Sequence, residues 1–279
     1  MRQKILETSI ATFQPLDFVL ALWQGGSAAH GYTDEWSDID LHVIVQDERV
    51  PKTFDIFEKS LKTISEIRFK YKVPEPTWHG HCQCFYQLEG VSPFLAIDFV
   101  VMKLSNPNRF LEVERHGESV VGFDKANLLV PQNLNRSEHF LKMKERYEYL
   151  KMNFDFLQTF VKKEINRGHF AEAVARYHHY TLNPLVELLG MVYRPYRYDF
   201  KILKYFSRDF PADVIARVEP LFWVMDLSDL AKKQQIAELI FASPCFVQNR
   251  WFSALSDRPC PALIALVTYP HPLRLAQNK

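Results

Sequence analysis

The sequence has few cysteines, almost no net charge and no long apolar run near its N-terminus. Four cysteines in 279 residues are too few to build a disulfide scaffold. Its 34 basic and 33 acidic residues leave a formal net charge of +1, which excludes an acidic disordered chain and gives no overall basic bias towards nucleic acid or a membrane surface. The apolar run at residues 18–23 is far shorter than the roughly 20 residues that span a bilayer. We therefore expect a soluble, reduced, cytoplasmic protein with no membrane partner.

The charges that cancel over the whole chain are unequally distributed between its halves. Residues 1–133 contain 13 Lys and Arg against 18 Asp and Glu, whereas residues 134–279 contain 21 against 15. An acidic half joined to a basic half would suit a protein that binds a metal ion and a polyanion together. A chance partition between two domains explains the same counts equally well.

Short apolar runs that end at glycine or polar turns predict strands, and apolar side chains spaced three or four residues apart predict helices. On this basis the first domain, residues 1–133, has helices at 3–13 and 52–69 and strands at 18–23, 38–45, 78–88, 94–102 and 118–123. The segment 87–93 contains Gly90 and suits an antiparallel hairpin between two of these strands.

The second domain, residues 134–279, has a helical pattern. Apolar residues recur along one face of a long helix that begins near Ser137 and ends at Gly168, a typical C-cap residue. This apolar stripe could pack internally or form the interface of a homodimer. A second helix is expected at 170–189 with a kink at Pro184, followed by helical segments at 199–207, 212–225 and 228–242 and a proline-rich tail.

The pattern richest in chemistry joins the first two strands. A buried strand leads into Gly25, Gly26 and Ser27, ten residues intervene, and the next strand opens with Asp38, Ile39 and Asp40. Glycines let a backbone approach a phosphate closely, and the amides and hydroxyl of Ser27 can donate hydrogen bonds to it. Two carboxylates on one face of an apolar strand repel each other, and a divalent cation such as Mg²⁺ is the simplest compensation.

This combination resembles the signature of the DNA polymerase β-like nucleotidyltransferases: a Gly-Ser pair, about ten residues, then Asp-hydrophobic-Asp. Within them the chain is most similar to small bacterial enzymes that inactivate lincosamide and aminoglycoside antibiotics. The resemblance extends over residues 16–45 and more weakly to about 130. It implies an α+β fold, a mixed β-sheet with helices on one face, and a C-terminal helical domain that closes over the substrate site.

The resemblance also implies roles for particular residues. Asp38 and Asp40 would hold one or two Mg²⁺ ions, and Asp98, in an apolar strand, would be the third carboxylate, either a metal ligand or the general base. The nucleotide would contact the first domain at Gly26, Ser27, His30 and Ser37. His30 departs from the Arg or Tyr that is frequent at its position in similar proteins.

Two further segments carry weaker signals. Residues 79–84 contain two His and two Cys, but on a strand the histidines share one face and the cysteines the other, so four ligands could not converge on one zinc ion. Some of these residues are expected to line the site beside Asp98. Residues 193–198 interleave aromatic side chains with Arg194 and Arg197 ahead of Lys201, a pattern that could bind the nucleotide or form an ordinary surface turn.

The sequence therefore predicts a Mg²⁺-dependent transfer of a nucleoside monophosphate, AMP from ATP, to a hydroxyl of a small molecule. The partners would be the nucleoside triphosphate and this acceptor, with no nucleic-acid template. One alternative is a protein-modifying or toxin–antitoxin nucleotidyltransferase. Another is a catalytically silent nucleotide-binding module, against which the three carboxylates argue, because a silent module has no need for an uncompensated acidic cluster.

Overall fold

The computed structural model describes residues 1–201 and 203–243. The chain divides into two compact units, Met1–Leu134 and one that begins at Asn135. The first unit contains helices α1 (Arg2–Phe13), α2 (Gly26–Ala29), α3 (Val50–Lys62) and α4 (Val113–His116) and strands β1 (Val19–Gln24), β2 (Ile39–Val45), β3 (Ile67–Lys72), β4 (Cys82–Leu88), β5 (Ile97–Lys103) and β6 (Val120–Asp124).

The six strands form one mixed sheet in the order β3-β4-β5-β2-β1-β6. Strands β2 and β5 are parallel, whereas the pairs β1–β2, β1–β6, β3–β4 and β4–β5 are antiparallel. The predicted hairpin between β4 and β5 is therefore confirmed. Strand β2 lies inside the sheet, with β5 on one side and β1 on the other.

The two faces of the sheet are covered differently. Alternate residues of β2, such as Ile39 and Leu41, pack with α1 and α3 in one apolar core that includes Phe13 and Phe57. The opposite face carries a smaller cluster around Trp23 and Met102, closed by connecting segments. This mixed sheet with helices on one face agrees with the predicted fold class, and it leaves the other face to carry polar side chains.

Two boundaries predicted in this unit are wrong. The helix predicted at 52–69 ends at Lys62, and β3 begins at Ile67. Ile64 and Ile67 fit a helical spacing, but Ile67, Phe69 and Tyr71 also alternate in the way a strand requires. The strand predicted at 78–88 begins only at Cys82, after a turn at Gly80, whose φ is +77°.

The second unit is helical in its described part. It contains α5 (Arg136–Arg167), α6 (Phe170–Tyr177), α7 (Asn183–Tyr193), α8 (Phe206–Asp209), α9 (Ala212–Val218) and α10 (Leu227–Phe241). The long helix α5 begins at the cap residue Asn135, whose side chain accepts from the Glu138 amide, and ends at Gly168 in the left-handed region, as predicted. Its apolar stripe packs into this unit's own core, with Met143 and Phe154 buried.

The remaining helical predictions need three corrections. The helical irregularity predicted at Pro184 lies one turn earlier, where His178–Leu182 form a π-helical turn. Pro184 itself lies in the first turn of α7, where proline is tolerated. In the segment predicted at 199–207, helix α8 begins at Phe206, and the other described residues of the segment are not helical. The segment predicted at 212–225 ends as a 3₁₀ turn, Glu219–Phe222. The predicted proline-rich tail lies outside the described residues.

None of the helices in residues 1–201 and 203–243 has both the length and the apolar character needed to cross a bilayer.

Candidate active site

The glycine turn after β1 is packed directly against Asp40. The Gly25 amide donates to the Asp40 carbonyl at 3.0 Å, which continues the β1–β2 pairing into the turn. Gly26 has a φ of +57°, and a Cβ added to it would stand 1.7 Å from Asp40 Oδ2. Only glycine is compatible with both this conformation and this contact. The turn and the carboxylate therefore form one structural unit.

Asp40 and Asp98 are brought together by the parallel pairing of β2 with β5, in which they are register partners. Their neighbours Ile39, Leu41, Ile97 and Phe99 belong to the core under α1 and α3. Because side chains alternate along a strand, both carboxylates project from the other face of the sheet. Both are partly exposed.

Asp38 lies just before β2 and is exposed. The guanidinium of Arg2, on α1, donates to the Asp38 carbonyl at 2.7 Å and also to the Ser37 carbonyl. These two hydrogen bonds fix the backbone that leads into β2. The Asp38 side chain is therefore exposed just before β2, two residues ahead of Asp40.

Gln83 is a site residue that motif reasoning did not identify. Its Nε2 donates to both carboxylate oxygens of Asp98, at 2.7 Å and 2.9 Å. Gln83 lies on β4, next to β5, so one of residues 79–84 contacts Asp98. An amide carries no signature of its own, so only the hairpin register could have indicated it.

The other residues predicted to bind the nucleotide in this unit follow the glycine turn along the chain. Ser27 is buried in the first turn of α2, and the ring of His30 stacks on Tyr32 with centroids 5.9 Å apart. The Ser37 hydroxyl donates to Asp34 Oδ1 at 2.7 Å and accepts from the Asp34 amide. Ser37 therefore shapes the loop that precedes β2.

Arg197 and Lys201, also predicted to bind nucleotide, belong to the second unit. Arg197 Nη2 forms an ion pair with Asp209 at 3.1 Å, and its side chain is only 16% exposed. Arg194 is buried, lies over the ring of Phe210 and donates to the Lys204 carbonyl. The guanidinium groups of residues 193–198 thus have structural partners within the helical unit, and Lys201 is exposed.

A histidine lies beneath the glycine turn. A Cβ added to Gly25 would stand 2.5 Å from Cε1 of His42, and the His42 ring lies 5.1 Å from that of Trp23. Burial, followed by the neighbouring histidines 81, 116 and 79, lowers the pKa of His42 from 6.5 to about 3. His42 is therefore a neutral packing partner of the turn at physiological pH.

Aromatic rings extend the site along the same face. The Phe110 ring has the rings of four histidines within 6.2 Å of its centroid: His42, His79, His81 and His116. An apolar ring at their centre is not a metal ligand, and Cys82 and Cys84 are buried in the core on the opposite face. The histidines of residues 79–84 thus pack on Phe110, away from the two cysteines.

The donor set suits Mg²⁺ better than a metal held by protein alone. Within residues 1–201 and 203–243, no group of three or more His, Cys, Asp or Glu side chains is placed to hold a metal ion. Mg²⁺ is usually bound by one or two carboxylates together with substrate phosphates and water. Asp40 and Asp98, side by side and next to a glycine turn, fit that mode of binding.

The sequence matches no protein-family profile and no curated protein sequence. Solved structures that are similar to the chain include three with the following identities and coverages. An aminoglycoside 6-adenyltransferase from Bacillus subtilis has 12% identity and a TM-score of 0.37, covering 98% of this chain and 94% of that one. A nucleotidyltransferase-like protein from Exiguobacterium sibiricum has 14% identity and a TM-score of 0.40, covering 96% and 87%. A spectinomycin adenyltransferase from Enterococcus faecialis has 11% identity and a TM-score of 0.33, covering 87% and 90%.

Proposed function

We propose that the protein is a Mg²⁺-dependent nucleotidyltransferase that transfers AMP from ATP to a hydroxyl of a small molecule. The observation that carries this proposal is the contact of Gly26 with Asp40, beside Asp98 on the next strand. This contact supports the proposal because backbone amides in a glycine turn can bind phosphate, and a pair of carboxylates beside it could share a metal ion with that phosphate. The three elements come from adjacent strands of one sheet.

In this proposal each residue has a limited task. The amides at Gly26 and Ser27 hold the β- and γ-phosphates, and Asp38 and Asp40 hold the metal ion. Asp98 either completes the metal site or accepts the proton of the acceptor. Bound Mg²⁺ offsets the charge that develops on the triphosphate. The acceptor oxygen bonds to the α-phosphorus as the bond to the bridging oxygen breaks, pyrophosphate leaves with that electron pair, and the hydroxyl proton passes to Asp98 or to solvent.

We assign the choice of acceptor to the helical unit. Its surplus of basic residues suits a nucleoside triphosphate. Its aromatic side chains suit a sugar or a drug-like molecule. Lincosamides and aminoglycosides are the acceptor classes to test first, because the Gly-Ser and Asp-Ile-Asp pattern resembles enzymes that modify them.

The test is a pyrophosphate-release assay with ATP and Mg²⁺ against lincosamides, aminoglycosides and a protein extract. We expect release with a small-molecule acceptor, its loss on addition of EDTA, and its return with excess Mg²⁺. Asp38→Ala and Asp40→Ala should each abolish release with an unchanged circular dichroism spectrum. Asp55→Ala, an exposed carboxylate on α3, is the control and should retain activity.

Two results would contradict the proposal. Normal turnover by Asp38→Ala or Asp40→Ala would exclude the metal-binding role. Labelled AMP that appears on a protein band, with no small-molecule product, would replace the proposed acceptor by a protein.

A further inference from the structure

A chain of hydrogen bonds leads from the backbone of the turn before β4 to the carboxylate of Asp98. The His81 amide lies 3.1 Å from His79 Nδ1. His79 Nε2 lies 3.3 Å from Gln83 Oε1, and Gln83 Nε2 lies 2.7 Å and 2.9 Å from the two oxygens of Asp98. His79 is buried, so these partners are not exchanged freely for water.

The donors in this chain can be assigned from its first member. A backbone amide can only donate, so Nδ1 of His79 accepts the His81 N–H, and it can also accept from the Thr77 hydroxyl 3.2 Å away. A neutral imidazole then carries its proton on Nε2, and burial, which lowers the pKa of His79, favours the neutral ring. The proton on Nε2 points at Gln83 Oε1.

The same reasoning sets the orientation of the Gln83 amide. Its oxygen accepts from His79, so its NH₂ group faces Asp98, and one nitrogen contacts both carboxylate oxygens. A flipped amide would present its oxygen to the carboxylate, which repels it. His79 and Asp98 therefore favour the same orientation of the Gln83 amide, although His79 itself has no contact with Asp98 among the hydrogen bonds described.

We infer that His79 and Gln83 form a positioning relay that holds the Asp98 carboxylate in the orientation required for nucleotidyl transfer. This inference rests on the proposed function, in which Asp98 acts at the site. Gln83 contacts both oxygens from one side, which fixes the plane of the carboxylate and limits the directions from which a metal ion or an acceptor hydroxyl can approach it. His79 and Gln83 are positioning residues, because neither needs to touch a substrate.

A purely structural role for His79 gives the opposite expectation from the relay. The His79 ring stacks on His81 with centroids 5.2 Å apart and meets the edge of Phe110 at 5.8 Å. If this packing were its function, phenylalanine would replace it better than glutamine. If the donor at Nε2 is its function, glutamine, whose NH₂ can donate from a similar position, would replace it better than phenylalanine.

The activity test compares His79→Gln and His79→Phe in pyrophosphate release from MgATP, with kanamycin or lincomycin as the acceptor. We expect kcat/KM to fall about tenfold in Gln83→Leu, which loses the hydrogen bonds to the charged Asp98 carboxylate. We also expect it to fall in His79→Phe, which loses the donor that faces Gln83 Oε1. His79→Gln should retain several times more activity than His79→Phe. The reverse order would show that packing, and not the donor, is what matters, and would overturn the relay.

A second measurement does not depend on activity. In wild-type protein, the ¹⁵N chemical shifts of His79 should identify the tautomer protonated at Nε2, and that proton should exchange with water faster in Gln83→Leu. A ring protonated at Nδ1, or an exchange rate unchanged by Gln83→Leu, would overturn the relay. If no acceptor supports turnover but the Nε2 tautomer is found, the proposed function fails while the hydrogen-bond chain stands.

Discussion

The α-carbon of Gly26 lies against the carboxylate of Asp40, so closely that a Cβ at this position would stand 1.7 Å from Oδ2. The contact joins a turn suited to phosphate with a side chain suited to a metal ion. No side chain can be inserted there without moving Asp40 or the backbone of the turn, and the φ of +57° adds a second constraint.

Gly26→Ala should therefore lose activity far out of proportion to its loss of stability. Its unfavourable φ costs about 1–2 kcal/mol in unfolding free energy, and displacement of Asp40 should reduce kcat/KM for ATP at least about 100-fold, if the carboxylate acts as proposed. Urea denaturation and the pyrophosphate assay measure the two effects. Gly90→Ala is the matched control, because Gly90 has a similar φ of +63° with nothing within 4 Å of an added Cβ. Equal activity in the two variants would show that the contact with Asp40 has no role.

The stability of the protein should fall as the pH is lowered from about 6.5 towards 4. Burial, and after it the neighbouring His79, lowers the pKa of His81 from 6.5 to about 4. Between these values the unfolded chain binds a proton at His81 that the folded chain does not, so acid favours unfolding. A single such group changes the unfolding free energy by at most about 1.4 kcal/mol per pH unit.

Replacing His81 with glutamine should reduce that slope, whatever its effect on stability at neutral pH. The measurement is the urea midpoint as a function of pH. His179→Gln, at an exposed position in the helical unit, is the control variant. If His81→Gln left the pH dependence of the unfolding free energy unchanged, His81 would not be its source. Part of the dependence should remain in this variant, because the pKa of His42 is also lowered.

The helical unit should depend on the ion pair between Arg146 and Glu187. Arg146 donates from Nε and Nη2 to the two Glu187 oxygens at 2.7 Å and 2.8 Å, and the carboxylate is 11% exposed. Arg146→Met would leave this carboxylate with little water and no countercharge, and we expect about 2 kcal/mol lower unfolding free energy in urea denaturation.

Lys142→Ala provides the comparison on the same helix. Lys142 contacts Glu138 at 2.6 Å, but both side chains are more than half exposed, so the loss should stay below about 0.5 kcal/mol. If Arg146→Met and Lys142→Ala lost similar amounts of unfolding free energy, burial of Glu187 would add little to the strength of its ion pair. The pair also gives Glu187 a structural task within the helical unit.

The parts of the site that the sequence indicates are those encoded over short distances. The glycine turn and the strand opening at Asp38 and Asp40 lie within 16 consecutive residues, and strand alternation alone places Asp40 opposite Ile39. The position of Asp98 in an apolar strand also marks it, because a carboxylate there needs a partner.

The partner itself could not be predicted, because it depends on register between separate strands. In the pairing of β4 with β5, Phe85 is directly opposite Asp98 and Gln83 is opposite Val100. Gln83 therefore reaches Asp98 diagonally across the two strands. A glutamine on a strand has no pattern that distinguishes it from a surface residue. The packing of His42 under Gly25 was missed for the same reason, since it depends on how β1 pairs with β2.

The parallel pairing of β2 with β5 also has a consequence for folding kinetics. Parallel neighbours cannot be joined by a tight turn, and here the intervening chain contains α3, β3 and β4. The β1–β2 hairpin, with its glycine turn on Asp40, closes a short loop, whereas Asp98 arrives only after a much longer one. We expect a nascent chain to form the glycine turn and its contact with Asp40 early, and to lack Asp98 beside Asp40 until β5 pairs with β2.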